Sequence, residues 1–303
     1  MAALPTATSA IVEAVYRAYE ARTEKRRRHL GASEIGHECA RWLWYSFRWA
    51  VQQKFDGRML RLFSTGHLAE LRFVADLRAV GCEVSEGPEP GKQWRMTACG
   101  GHFGSAIDAA VLGLPETSKT WHLAEFKTCN AKSFTALTTK GVRVSKPQHY
   151  AQMIVGMEMH GFTRALYLAV NKNTDELYSE RVRADPIEAI RLLERARRII
   201  EADSPPERIS ADPSWWQCKF CPAHAVCHGG GWADRNCKTC LHSTPVVDGQ
   251  WSCALHGDCE PDLAGCPDHL YLPGLVPGEQ IDAGDTWVSY RLRDGIEWVD
   301  GAR

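Results

Sequence analysis

Twelve cysteines in a chain of 303 residues constrain this sequence more than any other feature, because most of them fall in short clusters. Cys218-x2-Cys221-x5-Cys227 follows Trp215-Trp216, and Cys237-x2-Cys240 opens a second set that continues through Cys253, Cys259 and Cys266. The stretch from Met1 to Ala10 lacks the basic and apolar regions of a secretion signal. No apolar run is long enough to span a bilayer, so a cytoplasmic chain without membrane contact is expected. A reducing compartment disfavours structural disulfides, and clustered cysteines there point to metal.

Composition adds little: 44% hydrophobic, 24% charged and a net charge of -1. That balance gives no global attraction to nucleic acid, so any such contact has to come from local basic patches. The run Arg22, Lys25, Arg26, Arg27 and Arg28 is one, and by itself reads best as a solvated helix end.

Periodicity predicts helices over 8–28, with Ile11, Val12, Val15, Tyr16 and Tyr19 on one face, over 34–49, capped by Ser33 and carrying Cys39, and over 58–80, ended by Gly81. Short segments rich in strand formers follow at 82–86, 92–97, 103–112 and 121–128, then helices at 131–139 and 147–160 and strands at 164–171 and 176–183. Asp185, Pro186 and Glu188 supply an N-cap, a first-turn proline and a first-turn carboxylate for a helix to about Ala202. A Pro-rich stretch at 204–213 closes this unit, and Asp294-Gly295 is a strong turn between strands at 287–293 and 296–299. The order predicts an α/β (α+β) fold with a mixed central sheet flanked by helices over residues 1–230. Residues 231–303 are expected to form a small zinc-binding module with a C-terminal hairpin.

Glu125-Phe126-Lys127 is the single Asp/Glu-x-Lys triplet in the chain. Alternation along a strand puts Glu125 and Lys127 on one face. Asp108 lies in the apolar segment Phe103–Leu112, where a lone carboxylate is costly unless paired or metal-bound. If adjacent antiparallel strands bring Asp108 beside Glu125, two carboxylates make an oxygen-lined site for Mg2+ or Mn2+. Such an ion polarises a phosphoryl oxygen and lowers the pKa of bound water.

Gly104 to Asp108, then Glu125-Phe126-Lys127, then a helix with Gln148 and Gln152, resembles the RecB-like and phage-type branch of the PD-(D/E)XK nucleases, in matching order over about residues 30–228. The resemblance implies a restriction-endonuclease-like core. It also implies a DNA nuclease, most often an exonuclease, in which Asp108 and Glu125 bind metal and Lys127 assists water. His67, in Ser64-Thr-Gly-His67, matches a metal-binding histidine on an early helix, and Gln148 and Gln152 match the helix after the lysine. The family often carries a tyrosine four places beyond that glutamine, where this chain has Gly156. DNA is the implied partner, together with a single-strand annealing or recombination protein; oligomeric state is left open.

Three late cysteines with an early one, Cys39, resemble the AddB-type and CRISPR-adaptation nucleases, which implies a [4Fe-4S] cluster on Cys39, Cys218, Cys221 and Cys227. Zinc, with His224 or His228 as fourth ligand, is the rival. For the second set a Cys-x2-Cys knuckle with later ligands reads as zinc on Cys237, Cys240, Cys253 and Cys266, with His256 as alternative and Cys259 as a spare thiol. Cys82, Cys99 and Cys129 read as packing residues. Two other classes compete: a non-catalytic zinc or iron–sulfur DNA-binding module, which gives the acidic pair no task, and an electron-transfer protein, which gives none to the triplet.

Overall fold

The computed structural model describes residues 9–22, 26–261 and 264–301. Helix α1 (Ala10–Glu20) leads to the two-residue strand β1 (Leu30–Gly31), then helices α2 (Ala40–Phe47) and α3 (Gly57–Ala79). Strands β2 (Glu83–Ser85), β3 (Arg95–Ala98), β4 (Phe103–Ala106), β5 (Ala109–Leu112) and β6 (His122–Cys129) follow. Next come α4 (Ala131–Ser145), α5 (Pro147–His160), β7 (Arg164–Asn171), β8 (Leu177–Arg183) and α6 (Pro186–Glu201). The chain ends in α7 (Trp216–Lys219), α8 (His224–Cys227), β9 (Ser243–Pro245), β10 (Trp251–Cys253), β11 (Gly257–Cys259), β12 (Gly278–Ala283), β13 (Trp287–Leu292) and β14 (Glu297–Gly301).

The central sheet runs β2-β5-β6-β7-β8 and is mixed. β6 and β7 are parallel, joined by the α4–α5 crossover, and the other pairs are antiparallel. Alternation along β6 sorts its side chains. Ala124 and Phe126 face α3 in a core with Phe73, Val74 and Leu77, while Leu123 and Cys129 face the larger core under α2, α5 and α6. Phe126 stacks on Phe73 with ring centroids 5.1 Å apart, so truncating it to alanine would cost about 3–5 kcal/mol. Glu125 and Lys127 belong by parity to the face of Leu123, where polar groups have to find partners.

Several expected boundaries move. The predicted strand 103–112 divides at Ile107–Asp108, because Phe103–Ala106 pairs with β3 and β1 while Ala109–Leu112 pairs with β2 and β6. This division leaves Asp108 at the junction of two sheets. α2 starts at Ala40 rather than near 34, capped by Cys39 and not Ser33, because Leu30 and Ala32 spend their amides on His102 and Gly104 carbonyls of the β4 segment. α1 ends at Glu20, and its Ile11, Val12 and Val15 are exposed, so only Tyr16 and Tyr19 are partly covered. Of the basic run after it, Arg22 is exposed at the helix end and lies over the Tyr19 ring, whereas Arg26, Arg27 and Arg28 lie beyond the helix and pair with Asp234, Glu34 and Glu260. Lys25 lies outside the described residues.

The core is continuous across residue 230: Trp251, Leu270, Leu272 and Tyr290 share one cluster with Leu43, Trp44 and Phe47. Lys238 is 0% exposed there; its Nζ donates to the Arg28 carbonyl at 2.7 Å and sits 4.1 Å from the centre of the Trp49 ring. Burial, then Arg48, Arg28 and Arg26, drive its pKa well below the lysine range. Cation–π contact with Trp49, Phe47 and Trp251 offsets part of that desolvation. Among the described residues no helix is long and apolar enough to cross a membrane.

Candidate active site

Register brings the acidic pair together. β5 runs antiparallel to β6 with Ala109 opposite Ala124, so Asp108, one residue before β5, lies beside Glu125. The Asp108 Oδ2 accepts from the Phe126 amide at 2.7 Å. Its Oδ1 has no hydrogen bond among the described residues. Glu125 is 1% exposed, and both its oxygens are used: Oε1 by the Lys127 ammonium and Oε2 by Gln152 Nε2 at 2.9 Å. The Lys127 side chain keeps 26% exposure and also donates to the Phe126 carbonyl at 3.1 Å.

A third carboxylate, not singled out from the sequence, completes the cluster. Glu70 lies on α3 one turn after His67 and is coupled to Asp108, His67 and Lys127. It lines both a cavity of about 410 Å³, with His67, Lys127 and Lys172, and one of about 650 Å³, with Asp108. The one signal was its spacing: in Ser64-Thr-Gly-His67-Leu-Ala-Glu70, positions three apart share a helix face.

Electrostatics follow from crowding. Burial, with Asp108 and Glu70 nearby, holds the Glu125 carboxyl up at about 7 despite the opposing Lys127. Burial and Asp108 likewise raise Glu70. Burial alone would lower the Lys127 pKa, but Glu125, Asp108 and Glu70 together reverse this and raise it. Burial, then Lys127 and Lys146, push His149 down to about 3, so this imidazole, hydrogen-bonded to the Tyr167 hydroxyl at 2.9 Å, stays neutral. Asp108, Glu125 and Glu70, with His67 one turn before Glu70, offer the oxygen and nitrogen donors a hard divalent cation takes, although no three of their ligand atoms lie within 4.8 Å of one another among the described residues.

Gln148 and Gln152 part company. Gln152 bonds Glu125, whereas Gln148 is exposed and lines a groove at the start of α5. Gly156 has a packing reason: a Cβ there would stand 2.9 Å from Leu123 Cδ1 beneath β6. A tyrosine could not occupy it without moving α5 off the sheet.

The cysteine sites are distinct from this cluster. Cys39 Sγ accepts from the Trp42 amide at the start of α2 and lines one cavity with Cys218, Cys221 and Cys227. Burial, with the neighbouring thiols, raises Cys218 and Cys221. In the second region, burial foremost, with Cys253 and Cys266 adding, raises Cys240. Among the described residues one group of three candidate ligands has its ligand atoms within 4.8 Å of one another: His256, Cys266 and Asp268. The side chain of Cys259 lies outside the described residues. Cys82 and Cys129 are buried and Cys99 half-buried, as packing residues.

No family model and no curated protein matches the chain. Among solved structures it is similar to SSO0001, with 14% identity and a TM-score of 0.43 over 73% of this chain and 97% of that one. It is also similar to LHK-Exo in complex with dAMP, with 15% identity and a TM-score of 0.39 over 62% of this chain and 90% of that one. A further structure of LHK-Exo, an alkaline exonuclease from Laribacter hongkongensis, gives 16% and 0.37 over the same shares. Superpositions this loose leave the function to be read from the site's own residues.

Proposed function

We propose that the chain is a divalent-metal-dependent deoxyribonuclease of the PD-(D/E)XK type, an exonuclease acting at DNA ends. The reading rests on one observation: the register of β5 on β6 puts Asp108, just before β5, beside Glu125 and Lys127, with its Oδ1 free of hydrogen bonds among the described residues. Asp108, Glu125 and Glu70 would hold Mg2+ or Mn2+, with His67 at the rim. The ion supplies Lewis acidity toward the phosphoryl oxygen and a more acidic bound water. Lys127 lies between the carboxylates and the open cavity, so its ammonium is placed to orient an attacking water and offset charge growing on the phosphate. Gln152 holds Glu125 so that its carboxylate does not rotate away from Asp108. The cavity beside it carries Lys172 as a second cation for the phosphate backbone.

The proposal extends to two structural metals. Cys39, Cys218, Cys221 and Cys227 line one cavity, and four thiolates are the usual ligand set of a [4Fe-4S] cluster. In the second region the tight group of His256, Cys266 and Asp268, with Cys240 and Cys253 nearby, suits zinc, with Cys237 in the same knuckle.

The test is degradation of linear DNA in Mg2+ or Mn2+ by the wild type and by Asp108→Asn. Release of nucleotides by the wild type and loss in the variant are expected. Equal digestion by both proteins sinks the assignment.

A further inference from the structure

A groove of about 540 Å³ opens between the start of α5 and helix α7, lined by Trp42, Lys146, Gln148, His149, Trp216 and Phe220. Trp216 is 61% exposed and Phe220 78%, four residues apart and so on one side of the α7 turn. Burying an aromatic ring is among the largest gains a side chain offers in folding. A chain that leaves two of them in water, side by side on the wall of a groove, presents a surface for a ligand with flat apolar faces.

We propose that this groove binds single-stranded DNA, with Trp216 and Phe220 as stacking platforms for its bases. Three observations select that occupant. First, stacking needs exposed base faces, which a single strand offers and a duplex hides. Second, a cation stands beside the platform: Lys219 Nζ lies 5.8 Å from the Phe220 ring centre, within reach of a stacked strand's phosphates, while the Glu38 carboxylate lining the groove is tied to Gln217. Third, the groove and the carboxylate cluster share helix α5: Gln148 and His149 line the groove, and one turn beyond His149 Gln152 holds Glu125. A strand stacked on Trp216 and Phe220 would then run along α5 toward Glu125 and Lys127. The inference deepens the nuclease reading and rests on it for that direction of travel.

The experiment measures binding by fluorescence anisotropy in the absence of Mg2+ and Mn2+, on the full chain as purified without chelator. Three probes are compared: a labelled single strand, an abasic strand of equal length, and the blunt duplex. With the wild type, the normal strand is expected to bind at least about tenfold more tightly than the abasic one. The Trp216→Ala/Phe220→Ala double variant is expected to erase that difference, and Trp216→Phe/Phe220→Tyr to restore most of it. Duplex affinity is expected to change less than about twofold. Equal wild-type affinity for normal and abasic strands overturns the proposal, with no variant required. Equal losses on single strand and duplex overturn it too. Base-dependent binding without cleavage in Mg2+ leaves the groove standing and removes the nuclease reading; cleavage without base-dependent binding does the reverse.

Discussion

Gln152 Nε2 donates to Glu125 Oε2 at 2.9 Å, while Lys127 takes the other oxygen of the same buried carboxylate. A carboxylate this deep is tolerated because each oxygen has a donor. Burial, with Asp108 and Glu70, still holds it at about 7 rather than near 4.5. A protonated Glu125 cannot ligate a cation, so metal affinity and kcat/KM are expected to rise with pH through about 7 and level off above. In the metal-free protein the sign is opposite for stability. A raised carboxyl favours the folded state below 4.5, and that contribution is lost as pH climbs through about 7. Gln152→Leu removes a donor to the charged form and is expected to move the acidic limb upward. A pH–rate profile with its midpoint unmoved or lowered in that variant contradicts the arrangement.

Asp108→Asn separates charge from structure. The asparagine oxygen still accepts from the Phe126 amide, so the junction between β4 and β5 keeps its hydrogen bond. What disappears is one negative charge beside Glu125 and Glu70. The expected result is a fall in cleavage rate of about 10²–10⁴-fold, the scale of several kcal/mol of lost cation-centred stabilisation. The metal-free melting temperature is expected to hold or rise slightly, since like-charge repulsion is relieved. Retained activity in a variant that melts earlier would show Asp108 to be a structural residue.

Glu70→Gln tests the carboxylate that the motif hid. Glu70 faces both cavities and is coupled to Asp108 and Lys127. If it helps hold the cation, the Mg2+ concentration for half-maximal rate is expected to rise about 10–100-fold. The maximal rate at saturating Mg2+ is expected to fall far less than in Asp108→Asn. A metal titration that superimposes on the wild type leaves Glu70 outside the site.

The triplet at Glu125–Lys127 was legible because strand parity alone puts its two ends on one face, and Asp108 because an acid in an apolar strand needs a partner. Helix α5 and strand β7 fall on their expected residues because Pro147, Gly161 and an unbroken apolar run mark them. Glu70 was hidden because an acid on an amphipathic helix is ordinarily a solvated face. The start of α2 was hidden too: Ser33 is a good cap by type, but residues 30–32 are claimed by β4, and the cap falls to Cys39. The packing of residues beyond 230 could not be read locally, since Lys238 and Trp251 settle among Phe47, Trp49 and Arg48, far away in sequence.

Cys39→Ser isolates the early thiol from its cap. Cys39 Sγ accepts from the Trp42 amide at 3.4 Å, and serine is among the preferred N-caps, so α2 keeps its start. The variant lacks one of the four thiols lining the cavity with Cys218, Cys221 and Cys227. If a [4Fe-4S] cluster ties residue 39 to residue 218, the clip closes a loop through the whole central sheet. By chain-entropy reasoning such a closure stabilises by roughly 5 kcal/mol, or about 8 °C in Tm for a chain of 303 residues. Anaerobically purified Cys39→Ser is therefore expected to lose iron, sulfide and brown colour and to melt earlier by that margin. Its zinc content should be unchanged, because His256 and Cys266 belong to a separate group. Unaltered iron and an unaltered spectrum in the variant would remove Cys39 from the ligand set, and zinc in place of iron in the wild type would remove the cluster itself.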